Sequence, residues 1–221
     1  MGLSMRGAMG MMQEAAIIHS DASGYSIKDV PTTGVIWMLI GWRIRLLDHV
    51  GWNENVTVKT WPRTMERLTS ERDFEIVTAD GRIAAIGESV WVLVNAQTGR
   101  IVRIHQDVVD AYDLSDRKVF LQPQQVIPHK QGTERYQCTV TKRDLDTNHH
   151  VNNRVYLDYA VQTMPDDISA HEFREISIRY RKQLLLADRV RCFYRDEETC
   201  HVVDICGEDQ ADIRATVVFY K

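Results

Sequence analysis

One pattern occurs twice in this chain of 221 residues: an apolar-faced helix followed by a run of alternating strands. The first copy has helical spacing over 9–19, where Met12, Ala15, Ala16 and His19 recur at three- and four-residue intervals. Strand patterns follow over 35–47, 56–61, 70–78, 83–94 and 100–104. An Asp80-Gly81 hairpin signal separates the third from the fourth. The second copy has a helix over 151–164, with Val151, Val155 and Tyr159 four residues apart and Pro165 just past its end. Strands near 173–183, 189–194, 200–206 and 213–220 come after it. The junctions match in kind: Asn53-Glu-Asn-Val-Thr-Val58 in the first copy, Ala187-Asp-Arg-Val-Arg-Cys192 in the second. A repeat at about 130 residues indicates paired domains and not a solenoid.

A broadly apolar helix needs cover on most sides, and a curved antiparallel sheet wrapped round it supplies that cover. The expected class is therefore α+β, a tandem double hot-dog. The first unit is placed at 1–104, a surface linker at 105–132, and the second unit at 133–221. The linker carries Pro123, Pro128 and scattered charges, with a short helix over 106–111. A strand over 134–141 precedes the second helix, whereas almost nothing precedes Met9. The first unit is either built with one strand fewer or lacks its leading strand here.

Composition narrows the function classes. The chain is 44% hydrophobic and 26% charged, ordinary for a globular protein. A net charge of −4 gives no bulk attraction to nucleic acid or to a membrane surface, and neither is expected as a partner. No apolar run approaches the roughly 20 residues of a membrane span. Residues 1–12 lack a basic leader and a solid apolar core, so no signal peptide is expected. Cys138, Cys192, Cys200 and Cys206 form no CxxC pair and lie in apolar or alternating runs. They read as buried free thiols, which favours a reducing, cytoplasmic compartment.

The chemistry is concentrated in Asp144-Leu-Asp-Thr-Asn-His-His-Val-Asn-Asn153, between a strand and a helix. If this stretch is extended, Asp144, Asp146, Asn148 and His150 point to one side. An imidazole exchanges a proton near neutral pH, a carboxylate orients it or holds water, and an amide positions either. Backbone N–H groups over 151–153 are placed to stabilise an oxyanion. No serine stands beside the cluster, and Cys138 looks interior, so attack by activated water is favoured over an acyl-enzyme. The alternative is an Asx-rich turn capping the helix, through Asn152 or His150, with the histidines as bystanders. Metal binding is not expected, because no second cluster completes a coordination sphere.

The run from Asp144 to Tyr156 closely resembles the signature D-x-D-x-N-x-H-V-N-N-x-x-Y of the acyl-ACP thioesterases of plants and bacteria. Every fixed position matches. Met12-Gln-Glu-Ala-Ala16, residues 37–45 and Val58-Lys-Thr-Trp-Pro62 extend the resemblance into the first half. It implies two hot-dog domains, hydrolysis of fatty acyl-ACP in fatty acid biosynthesis, no cofactor, and acyl carrier protein as partner; a homodimer is compatible with it. It makes Asp146, Asn148 and His150 catalytic. The family's remaining polar group lies in a Tyr-Arg-Arg-Glu-Cys run in plant members. Here the run is Tyr180-Arg-Lys-Gln-Leu184, so Gln183 replaces the acid and Leu184 the thiol. Gln183 can hydrogen-bond a water or a carbonyl but cannot act as a base, which leaves the proton work to Asp146 and His150. The resemblance also implies an acyl tunnel in the first domain, with Met11, Met12, Ala15, Ile18, Trp37 and Leu39 as lining candidates. Asn152 and Asn153 join the substrate-binding group. Arg174, Arg179, Arg181, Lys182, Arg189 and Arg191 form either a docking face for an acidic carrier protein or a plain solvated face. An acyl-CoA hydrolase and a catalytically weak acyl-binding protein remain the competing readings.

Overall fold

The computed structural model describes residues 2–124, 127–168 and 173–221. The chain divides into two compact units, Met1–Pro123 and Gln124–Lys221.

In the first unit, α1 spans Met5–Ala22, starting earlier than the helical spacing suggested. Ser4 sets the start: its hydroxyl accepts the N–H of Gly7 at 3.1 Å, satisfying one of the orphan donors of the first turn. The buried face is Ala8, Met9, Met12 and Ala16. A short helix α2, Val30–Thr33, ends at Gly34, whose φ of 69° suits a residue without Cβ. The strands are β1 (Val35–Leu46), β2 (Val56–Glu66), β3 (Thr69–Thr78) and β4 (Ile83–Asn95). They pair antiparallel in the order β2-β3-β4-β1, and α1 packs against all four. Gly87 permits that packing: a Cβ there would lie 2.5 Å from Met12 Sδ. The helix side of the sheet contributes Trp42, Ile44, Phe74 and Ile76, all buried, with the Trp42 and Phe74 rings 5.1 Å apart.

Two expectations are corrected here. Residues 100–104 form no strand; Ile101 meets Val94 in one isolated bridge only. Residues 105–123 are not a surface linker but part of the first unit. A short helix α3, Gln106–Asp110, with Val108 buried, leads into a strap whose Tyr112 and Phe120 are buried. The strap lies over a cross-strand row, Trp61–Asp73–Glu88–Arg43. Trp61 Nε1 donates to Arg117 C=O at 2.8 Å, and Val119 N–H to Asp73 Oδ2 at 3.0 Å. Arg43 donates to Gln122 C=O at 2.7 Å and stacks 4.1 Å over Phe120. The pattern misled because the strap has no period of its own; the sheet's polar face holds it. Gln125 and Val126, also assigned to the linker, lie outside the described residues.

The second unit starts with β5, Thr133–Thr139, and carries helix α4, Asn153–Thr163. It continues with β6 (Glu175–Tyr180), β7 (Arg189–Asp196), β8 (Cys200–Cys206) and β9 (Ile213–Tyr220). Its pairing order is β6-β9-β8-β7-β5. Taken from the other edge, β7-β8-β9-β6 repeats the β2-β3-β4-β1 order of the first unit, with β5 added outside β7. Among the described residues the first unit has no counterpart of β5. The helix α4 packs on β5, β7, β8 and β9, burying Val155, Tyr156, Leu157, Tyr159, Ala160 and Thr163. Each unit is thus a helix laid across an antiparallel sheet, the hot-dog arrangement. No helix among the described residues is long and apolar enough to cross a membrane.

Candidate active site

The polar segment between β5 and α4 is a tight, hydrogen-bonded loop rather than an extended strand. It opens with a capping box: the N–H and hydroxyl of Thr141 both donate to Asp144 Oδ2 at 2.7 Å. Leu145 and Val151 then face each other in an antiparallel bridge, and Asp146 N–H donates to His150 C=O at 2.8 Å. Inside this hairpin, Asp146 Oδ1 accepts the N–H of Asn148 at 2.8 Å and that of His150 at 3.3 Å. His149 N–H reaches Asp146 C=O, and His149 itself takes a φ of 61°. The expected one-sided array of Asp144, Asp146, Asn148 and His150 is therefore overturned. Asx-type bonds compete successfully with an extended backbone here.

Two of the expected oxyanion donors are also committed elsewhere. Val151 N–H donates to Leu184 C=O at 3.0 Å, and Asn152 N–H to Asp144 C=O at 2.8 Å. The Asn152 side chain caps α4, accepting the N–H of Arg154 at 3.0 Å. Such a cap stabilises the helix by about 1 kcal/mol. Asn153 is the first residue of α4, and its carbonyl accepts the hydroxyl of Tyr180 at 2.9 Å.

The loop is stitched to the segment that follows β6. His150 and Leu185 form an antiparallel bridge. Val151 and Leu184 turn inward and are buried, whereas Leu185 is half exposed. Gln183 lies two residues before Leu185 on that segment. Gln183 is exposed and His150 half-buried. Asp146 is half-buried beneath the loop and Asn148 is exposed at its tip. The structure thus gathers Asp146, Asn148, His150 and the backbone at Gln183 in one place within the second unit.

Sequence reasoning missed three supports. The hydroxyl of Tyr156, a residue of α4, accepts the N–H of Leu184 at 3.0 Å. Burial pushes the Tyr156 phenol up to about 12, so it stays a neutral hydroxyl. Tyr180 packs edge-to-face on Tyr156 with ring centroids 5.3 Å apart. Arg214 Nη1 donates to Gln183 C=O at 2.8 Å. The Tyr of the signature and the Tyr180 of the later run pointed to two of them, and no sequence signal pointed to Arg214. Cys138 is half-buried, and burial raises its thiol further, which disfavours the thiolate.

The tunnel candidates separate by burial in the first unit. Met12 and Leu39 are buried, and Ala15 and Trp37 are half-buried. Trp37 Nε1 donates to the hydroxyl of Tyr112 at 3.0 Å. Met11 and Ile18 are 41% and 62% exposed, so they do not belong to the helix face that packs on the sheet. Of the basic residues, Lys182 pairs with Asp212 at 2.7 Å and Arg191 with Glu134. Arg174, Arg179, Arg181 and Arg189 are exposed.

Comparison with known proteins follows the same division. Residues 2–112 match the family model for the acyl-ACP thioesterase N-terminal domain, and residues 128–216 that for the C-terminal domain. The chain is 24% identical, over 96% of its length, to oleoyl-acyl carrier protein thioesterase 1, chloroplastic, of Arabidopsis thaliana. It is 27% identical, over 87% of its length, to thioesterase 2 of the same plant. It spans 69% of the first relative's length and 58% of the second's. Among solved structures, an acyl-ACP thioesterase from Bacteroides thetaiotaomicron superposes with a TM-score of 0.85 at 20% identity. That match covers 99% of this chain and 90% of the other.

Proposed function

The chain belongs to the acyl-ACP thioesterase family, and on that premise we propose that it hydrolyses fatty acyl-ACP to free fatty acid and holo-ACP by attack of an activated water. The observation that carries this reading is the pairing of His150 with Leu185. It brings an imidazole and the Gln183 segment to one face of the second unit.

Each group of the site is assigned a role by its chemistry. His150 takes the proton of the attacking water and returns it to the leaving thiolate; imidazole is suited to both at neutral pH. Asp146 shapes the loop through its two backbone bonds and so fixes the position of His150. With the N–H groups of Val151 and Asn152 committed, the side-chain amides of Asn148 and Gln183 orient the thioester carbonyl or the water. The exposed arginines 174, 179, 181 and 189 supply positive charge for an acidic carrier protein. A cytoplasmic location fits the free thiols Cys192, Cys200 and Cys206, all buried.

Assays of fatty acid release from acyl-ACP and acyl-CoA of graded chain length test the proposal. Faster release from acyl-CoA would identify a CoA hydrolase. Acyl binding without release from either would identify a binding protein, a reading that the amide at Gln183 specifically favours.

A further inference from the structure

The peptide unit joining Gln183 to Leu184 is held at both ends by side chains from other elements. Its C=O accepts Arg214 Nη1 at 2.8 Å, from β9. Its N–H donates to the hydroxyl of Tyr156 at 3.0 Å, from α4. The next carbonyl, that of Leu184, accepts Val151 N–H at 3.0 Å, one residue from His150. Three consecutive backbone groups are thus fixed to β9, α4 and the catalytic loop.

We propose that Tyr156 and Arg214 are positioning residues for hydrolysis: they clamp the Gln183–Leu184 peptide so that Gln183 is held two residues from the Leu185 that pairs with His150. The inference rests on the proposed thioester hydrolysis. The physical argument is one of lost freedom. Gln183 is exposed at the start of an irregular segment, where a side chain would otherwise sample many positions. Securing both ends of the adjacent peptide restricts the backbone rotation that would move Gln183. Tyr156 is buried and its ring packs edge-to-face on that of Tyr180, which holds the anchor on α4 in place. Arg214 is braced in turn by Asp212, at 2.7 Å. The chemistry needs this, because a misplacement of about 1 Å in a reacting group can cost about 100-fold in rate.

A double-mutant cycle tests the proposal with acyl-ACP as substrate. Tyr156→Phe removes only the hydroxyl, and its kcat should fall about 10- to 100-fold with KM within about twofold. In a Gln183→Ala background the same change should have almost no further effect, since the residue it positions is gone. Equal losses in both backgrounds would mean a general structural role and overturn the proposal, as would an unaltered kcat. Arg214→Lys, at the surface end of the same peptide, should reproduce the dependence on Gln183 if Tyr156→Phe fails to fold; independence from Gln183 would overturn the proposal. If the wild-type chain released no fatty acid, the functional reading would fail separately. The clamp would then be judged by NMR: Tyr156→Phe should speed hydrogen exchange at Leu184 N–H and shift the Gln183 side-chain amide. Unchanged signals would overturn it.

Discussion

His150 and Leu185 face each other across an isolated antiparallel bridge. This contact joins two segments 35 residues apart in the chain.

His150 is the group assigned the proton. His150→Ala should lower kcat by about 10² to 10⁴, the usual contribution of a general acid–base group. The fold should survive, because the bridge uses backbone groups. Circular dichroism and a thermal melt check that survival.

Asp146 is assigned to hold the loop, so its charge should matter less than its acceptor atom. Asp146→Asn keeps an oxygen for the N–H groups of Asn148 and His150, and should retain activity within about tenfold. Asp146→Ala leaves both donors without that oxygen and should lose about 100-fold. Turnover measured for both variants decides the matter. An Asn variant as inactive as the Ala variant would assign the negative charge a chemical role.

Cys138 should be dispensable. Burial raises its thiol, so Cys138→Ser should turn over at close to the normal rate. Loss of activity in a folded Cys138→Ser protein would point to a covalent route.

The strap row of the first unit should give stability a distinct pH dependence. Burial raises the Asp73 carboxyl above its ordinary range; burial and then the charge of Asp73 do the same for Glu88. A carboxyl whose folded value is raised binds more protons folded than unfolded in that window. Stability from these groups therefore falls as pH rises just above the ordinary carboxylate range of about 4. Glu88→Gln should flatten that slope in thermal melts, and an unchanged slope would remove Glu88 as its source.

Much of the fold was legible because hydrophobic periodicity reports burial directly. The strands β1 and β4, the helix α4 and its Asn152 cap stand close to where the spacing put them. The failures have physical causes. Helical spacing starts at Met9 whereas α1 starts at Met5, because the Ser4 cap, not apolar periodicity, sets the first turn. The strap over Asp73 and Arg43 carries no periodicity because its partners lie on strands far away in sequence. In the candidate site the arrangement of the polar residues was not legible. Alternating polar residues suggested an extended strand, whereas Asp146 folds the backbone onto its own side chain. The clamp of Tyr156 and Arg214 on one peptide is purely tertiary, and no local pattern encodes it.

The central claim is that a water driven by His150 cleaves fatty acyl-ACP. The most direct measurement is single-turnover release of labelled fatty acid from acyl-ACP by the purified wild-type and His150→Ala proteins. The account predicts release by the wild type and a loss of about 10² to 10⁴ in the variant, with acyl-ACP binding retained. Equal release by both proteins, or binding without release by the wild type, would contradict it.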